Sequence, residues 1–169
     1  MDMSFWQRVK RVSIWDDDAI PELEMKYAPL KRRMFPAIDL VLVAMGLTGA
    51  AFGVPSVEEV FGGATATAGT LAFAALGFLA LLGISFPKLW ALEAVAKSLL
   101  IGSSTVYALS LLFVVTTKFD PNRLYLLGWV IIGAILMSFR LAMLRYERVN
   151  RHAETAIRKL VEDEEGRDL

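Results

Sequence analysis

Four stretches of this chain are apolar for about the length that crosses a bilayer, and its polar residues gather between and around them. An α-helix rises about 1.5 Å per residue, so a hydrocarbon core of roughly 30 Å takes about 20 predominantly apolar residues. The pattern predicts spans over 36–54 (PAIDLVLVAMGLTGAAFGV), 64–86 (ATATAGTLAFAALGFLALLGISF), about 98–117 (SLLIGSSTVYALSLLFVVTT) and about 124–144. Hydrocarbon leaves unpaired backbone amides unsatisfied, and these runs lack the alternating polar face of a barrel, so helices are expected. The predicted fold class is an all-α membrane protein with four transmembrane helices, an N-terminal amphipathic interfacial helix and a C-terminal cytoplasmic helical extension. Three segments follow: 1–35, a basic N-terminal leader; 36–144, the membrane domain; and 145–169, a charged tail.

Both flanks carry their own periodicity. Phe5, Trp6, Val9 and Val12 share one face, with Arg8, Lys10 and Arg11 beside it, as in a helix lying in the membrane surface. Lys31, Arg32 and Arg33 add a second basic contact next to the first span. A static leader that only orients the bundle fits the same pattern. The acidic run Asp16 to Asp18 interrupts it, and Pro21, Pro29 and Pro36 are expected to keep the next stretch from forming one helix. From Asn122 to Glu164 there is no proline, so the fourth span is expected to run on as one helix of roughly 40 residues. Beyond the membrane Tyr146, Val149, Ala153, Ala156 and Leu160 make a short heptad stripe, widened by Ile157 and Val161. That stripe suits tail self-association or docking against the N-terminal segment.

Composition narrows the class. Apolar residues make up 56% of the 169, which leaves no room for a separate soluble domain of ordinary size. The start, MDMSFWQRVKRV, lacks the apolar core and small-residue cleavage site of a signal peptide. There is no cysteine, so disulfides, thiolate metal sites and S-acylation are excluded. The net charge of zero conceals an asymmetry: of 18 basic residues seven precede Pro36, seven lie from Arg140 onward, and Lys88 and Lys97 sit in the second connector. Basic flanks stay cytoplasmic. Both termini and the second connector are therefore expected inside a bacterial inner membrane, with PSVEEVFGG and KFDPNR outside.

Within the spans, Gly46, Gly49, Ala50 and Gly53 in the first, and Gly63, Ala66, Thr70, Ala74 and Gly77 in the second, form small-residue faces. Such faces let backbones approach closely, within a protomer or between protomers. The third span carries Ser103, Tyr107, Ser110 and Thr117 along one side, broadened by Ser104, Thr105 and Thr116. This stripe lines a hydrated path if several copies surround an axis, or bonds to the preceding turn's carbonyls with no water at all. Asp39 is read as an interfacial acid balanced by the nearby cations and the helix dipole, or as a proton or cation site. Glu93 and Lys97, four apart beside Trp90, are expected to pair at the surface.

Catalytic chemistry finds no support. His152, the single histidine, lies in the tail, so no span serine has a base; Asp39 alone makes no dyad. No P-loop, dinucleotide fingerprint or metal-ligand cluster occurs. No enzyme activity, cofactor or nucleic-acid partner is expected; the partners are the lipid bilayer and, by self-assembly, further copies of the chain. Carrier-type transport is disfavoured because no inverted repeat or broken midplane helix appears. The leader FWQRVKRV, the Ala/Gly stripe of the second span and the charged end RYERVNRHAETAIRKLVEDEEGRD together resemble the layout of multi-span phage holins and related membrane proteins of phage lysis modules. The resemblance covers the whole chain as architecture, carries no residue motif, and implies self-assembly into a pore or lesion. The alternative is a non-conducting scaffold or regulatory subunit whose cytoplasmic ends recruit a partner or anionic lipid.

Overall fold

The computed structural model describes residues 5–16, 19–20, 22–118 and 122–165. Among the described residues six α-helices follow in order: α1 (Phe5–Arg11), α2 (Phe35–Phe52), α3 (Pro55–Phe61), α4 (Gly63–Ser85), α5 (Trp90–Lys118) and α6 (Asn122–Glu165). Among these residues four helical stretches are long and apolar enough to cross a membrane: Glu24–Phe52, Gly63–Ser85, Pro87–Lys118 and Arg123–Asn150. Their outer faces carry large exposed apolar side chains, among them Phe78, Leu109, Phe113, Trp129, Ile135 and Phe139. A surface of that kind suits hydrocarbon and not water.

Small residues set the packing. A Cβ on Gly46 would lie 2.6 Å from the backbone nitrogen of Ala74, and one on Gly77 would lie 3.1 Å from that of Val43. The small-residue faces of α2 and α4 are thus pressed together inside one protomer, where dispersion contacts hold helices in place of the hydrophobic effect. Gly49 belongs to the same seam, its Cβ direction meeting Thr70, while Ala50 is half-buried. Gly53 does not. It follows the last residue of α2 at φ 80°, the left-handed region where a side chain is strained, so it turns the chain into α3. Gly63 has open space around it. A contact that the small-residue pattern of the second span did not single out joins α4 to α5: a Cβ on Gly83 would lie 2.6 Å from the backbone nitrogen of Glu93. Leu42, Ala80, Ala96, Leu100 and Met137 fill the centre between α2, α4, α5 and α6.

The stretch before α2 departs from expectation. Pro29 and Pro36 do not break it: a 3-10 turn (Glu22–Tyr27) and a π-helical turn (Leu30–Met34) lead directly into α2, while Pro21 lies outside the described residues. Pro36 lacks an N–H, and its ring excludes the ordinary bond to the carbonyl four residues back. That carbonyl, on Arg32, instead accepts the indole N–H of Trp15 at 3.2 Å, and the wider π turn absorbs the mismatch. Arg32 in turn donates to the Ile14 carbonyl at 3.1 Å and the Asp16 carbonyl at 2.6 Å, and the Ile14 amide reaches the last carbonyl of α4, on Ser85, at 2.9 Å. Ile14 and Ile20 are buried against Phe35 and Ile84. The leader helix therefore stops at Arg11, one residue short of Val12 in the expected apolar face, because the chain after it turns into the bundle. α6 continues for 44 residues, about 66 Å at 1.5 Å each.

Candidate functional site

Seven charged side chains meet inside the end of the bundle where α2 begins, α4 turns into α5, and α6 emerges. Lys97 Nζ donates to Asp39 Oδ1 at 2.6 Å, joining α5 to α2. Arg140 of α6 grips Glu93 of α5 with two nearly parallel bonds, Nε to Oε1 at 2.7 Å and Nη2 to Oε2 at 3.0 Å. Its third bond, Nη1 to Glu147 Oε1 at 2.9 Å, runs along its own helix. Glu147 also holds Lys31 at 2.9 Å, and Lys31 holds Glu24. The Arg140 guanidinium stacks 5.0 Å from the Phe35 ring, which closes the cluster on the α2 side.

Burial separates this network from a surface ion-pair cluster. Asp39 is 0% exposed, Glu93 and Lys97 1%, Arg140 and Lys31 3%. Taking such charges out of water costs several kcal/mol each, which only close pairing repays. The bidentate Arg140–Glu93 pair has the required geometry. A cavity of about 40 Å³ borders Glu24, Lys31, Glu93, Arg140 and Glu147. At roughly 10–15 Å³ per water it has room for about three or four.

Several expectations are corrected here. Glu93 and Lys97 are not a surface pair; each is buried and bound to a different helix, because Gly83 draws α5 against α4 and turns that face inward. Arg140 is no flanking cation but an interior one. Lys31 makes no membrane-surface contact, since Glu24 and Glu147 hold it in the interior. Arg32 is half-buried on backbone carbonyls, and Arg33 remains exposed. Asp39 is balanced by Lys97 and not by the basic run.

The other sites fall elsewhere. Phe5 and Trp6 of α1 are exposed at 71% and 76% and meet edge to face, with Val9 half-buried and Lys10 and Arg11 exposed. The Arg8 side chain lies outside the described residues. In α5 Ser103 donates to the Leu99 carbonyl, Ser110 to Val106 and Thr117 to Phe113, each 2.8–2.9 Å and four residues back. Tyr107 sits beside Ser56 of α3. Of the stripe, Ser110 is buried, Ser103 and Tyr107 half-buried and Thr117 exposed, so the bundle does not gather them around one opening. On α6 Tyr146 and Val149 are 64% and 66% exposed, and Ala153 and Ala156 are exposed too. The Leu160 side chain lies outside the described residues. Glu147 is turned inward while its neighbours Tyr146, Val149, Ala153 and Ala156 are exposed, so these four do not pack on the N-terminal segment.

At the opposite end, Arg123 of α6 binds both oxygens of Glu59 at 3.0 and 3.2 Å, and Lys118 lies 3.3 Å away. The Arg123 hydrogen bonds hold the Glu59 carboxyl below its usual range, with Lys118 adding to the effect. Comparison with protein-family models, with curated proteins and with solved structures gave no match. The functional reading therefore rests on the class the fold defines, a four-span helical membrane protein, and on the charged cluster within it.

Proposed function

We propose that this chain is a non-conducting membrane scaffold or regulatory subunit that presents the outer stripe of α6 to a cytoplasmic partner. The observation that carries this is the pairing of Arg140 with Glu93 and of Lys31 with Glu147: the two pairs clamp α6 to α5 and to the turn before α2 at the level where the helix leaves the bundle. A helix held by buried, bidentate pairs projects at a fixed angle, and a fixed helix presents Tyr146, Val149, Ala153 and Ala156 without the ordering cost of a loose tail. Basic flanks place this end on the cytoplasmic side. There α1 lays Phe5 and Trp6 into the interface while Lys10 and Arg11 meet anionic headgroups.

Holin-like assembly is the second reading. It is favoured by the open groove between α5 and α6, lined by Ser104, Ala108, Ala134 and Ser138, whose small side chains admit another helix. The small faces of α2 and α4, by contrast, are already occupied by each other.

A photo-crosslinking residue at Val149, in the full chain inserted in a bacterial membrane, separates the two. The scaffold reading expects adducts with a soluble protein, abolished by Ala153→Asp. Adducts with other copies of the chain, from Val149 or from Ala134, favour lateral assembly and count against the scaffold.

A further inference from the structure

Asp39 stands apart among the buried acids. Its side chain has no exposed surface, Oδ1 takes the Lys97 ammonium, and Oδ2 is the one buried side-chain polar atom with no hydrogen-bond partner among the described residues. Glu93, by contrast, has both oxygens bonded to Arg140. Every charged group facing Asp39 can be named. α5 brings Lys97 and Glu93, and α6 brings Arg140. The turn before α2 carries Lys31, whose ammonium goes to Glu24 and Glu147 and not to Asp39. α4 has no titratable residue between Gly63 and Ser85. Lys97 and Arg140 as cations have no site for another proton, so an added proton settles on an acid, and of the four carboxylate oxygens of Asp39 and Glu93 only Asp39 Oδ2 has no donor among the described residues.

Lys97 has somewhere else to go. Glu93 lies four residues earlier on the same helix, the spacing at which a carboxylate and an ammonium meet. A carboxylate offers about four acceptor positions, and Arg140 fills two on Glu93. The small cavity at the end of the bundle where α6 leaves it borders Glu93 and Arg140 and stops short of Asp39 itself.

We propose that Asp39 is a proton-binding site, and that its occupancy moves the Lys97 ammonium from Asp39 on α2 to Glu93 on α5. The proton comes from hydronium, which is left as water; an O–H bond forms at Oδ2, and Lys97 keeps its three hydrogens while changing acceptor. The site gains one positive charge. The ion pair between α2 and α5 is lost, while the Arg140 clamp on α6 stays.

The test is a pH titration by solid-state NMR of the full chain, labelled with ¹⁵N-lysine and ¹³C-aspartate and ¹³C-glutamate, in phosphatidylethanolamine/phosphatidylglycerol bilayers. As pH falls from neutral, the cross-peak between Lys97 Nζ and Asp39 Cγ should be lost while one to Glu93 Cδ appears, with the helical backbone signals unchanged. Asp39→Asn should show the Glu93 cross-peak already at neutral pH; if that variant does not insert, the wild-type titration decides alone. Persistence of the Asp39 cross-peak down to the pH at which the helix signals collapse overturns the proposal, as does its loss with no gain at Glu93.

Discussion

Arg140 offers the sharpest energetic test of the buried network. Replacing it with Leu removes three charge-assisted bonds, at 2.7, 2.9 and 3.0 Å, from a site 3% exposed. Glu147 keeps Lys31 as a partner, but Glu93, 1% exposed, keeps none. An uncompensated buried charge of this kind costs about 3–5 kcal/mol. Removing both charges by Glu93→Leu with Arg140→Leu leaves no orphan, and hydrophobic replacement of a buried pair is often neutral or stabilising by about 1–4 kcal/mol. The double variant should therefore be far more stable than either single one. Reversible unfolding by sodium dodecyl sulfate in mixed micelles, followed by tryptophan fluorescence and helicity, gives the double-mutant cycle. Single changes costing under ~1 kcal/mol that simply add in the double variant would refute a tightly coupled interior pair.

Other consequences are as specific. Gly83→Ala and Gly46→Leu force side chains into backbone 2.6 Å away, so each should cost about 1–3 kcal/mol or more in the same assay, whereas Gly102→Ala, with open space around it, should be neutral or gain up to ~1 kcal/mol. The Glu59 carboxyl is held low by Arg123 and then Lys118; the tie it forms is therefore present at neutral pH and lost as pH falls through the lowered value, and Glu59→Gln should abolish that dependence in a spin-label distance between α3 and the start of α6. The chain has no cysteine of its own, so single cysteines report sidedness cleanly: in intact cells Val60→Cys should react with an impermeant thiol reagent and Arg33→Cys should not, and the reverse would overturn the orientation drawn from the basic flanks.

The four spans and the unbroken α6 were legible in the sequence because each is a local property: about 20 apolar residues, or a long stretch without proline, needs no knowledge of neighbours. The Gly46 and Gly77 faces were legible as packing surfaces, but their partner was not, since one chain's pattern does not say whether a face meets its own protomer. The charged site was misread for the same reason. Glu93 and Lys97 satisfy the local four-residue rule, and Arg140 stands at the end of an apolar run, so each looked like a surface group. Their actual partners lie 58 and 47 residues away, Asp39 for Lys97 and Arg140 for Glu93. The signal lay in the balance of two acids and two bases in or beside the spans, where an unpaired charge is too costly to keep. The proline-rich approach to α2 was misjudged because the Trp15 indole, 17 residues earlier than Arg32, satisfies the carbonyl that Pro36 frees.

Whether the inserted chain conducts decides between scaffold and pore. The measurement is the membrane potential of bacteria expressing the wild-type chain from a controlled promoter, with insertion verified by fractionation and a cytoplasmic endolysin co-expressed. The scaffold account predicts that the potential holds and the cells stay intact at every expression level. A potential that collapses after a delay, followed by endolysin release and lysis, and suppressed by Ser103→Leu with Ser110→Leu, would contradict it and establish the polar side of α5 as the lining of an assembled path.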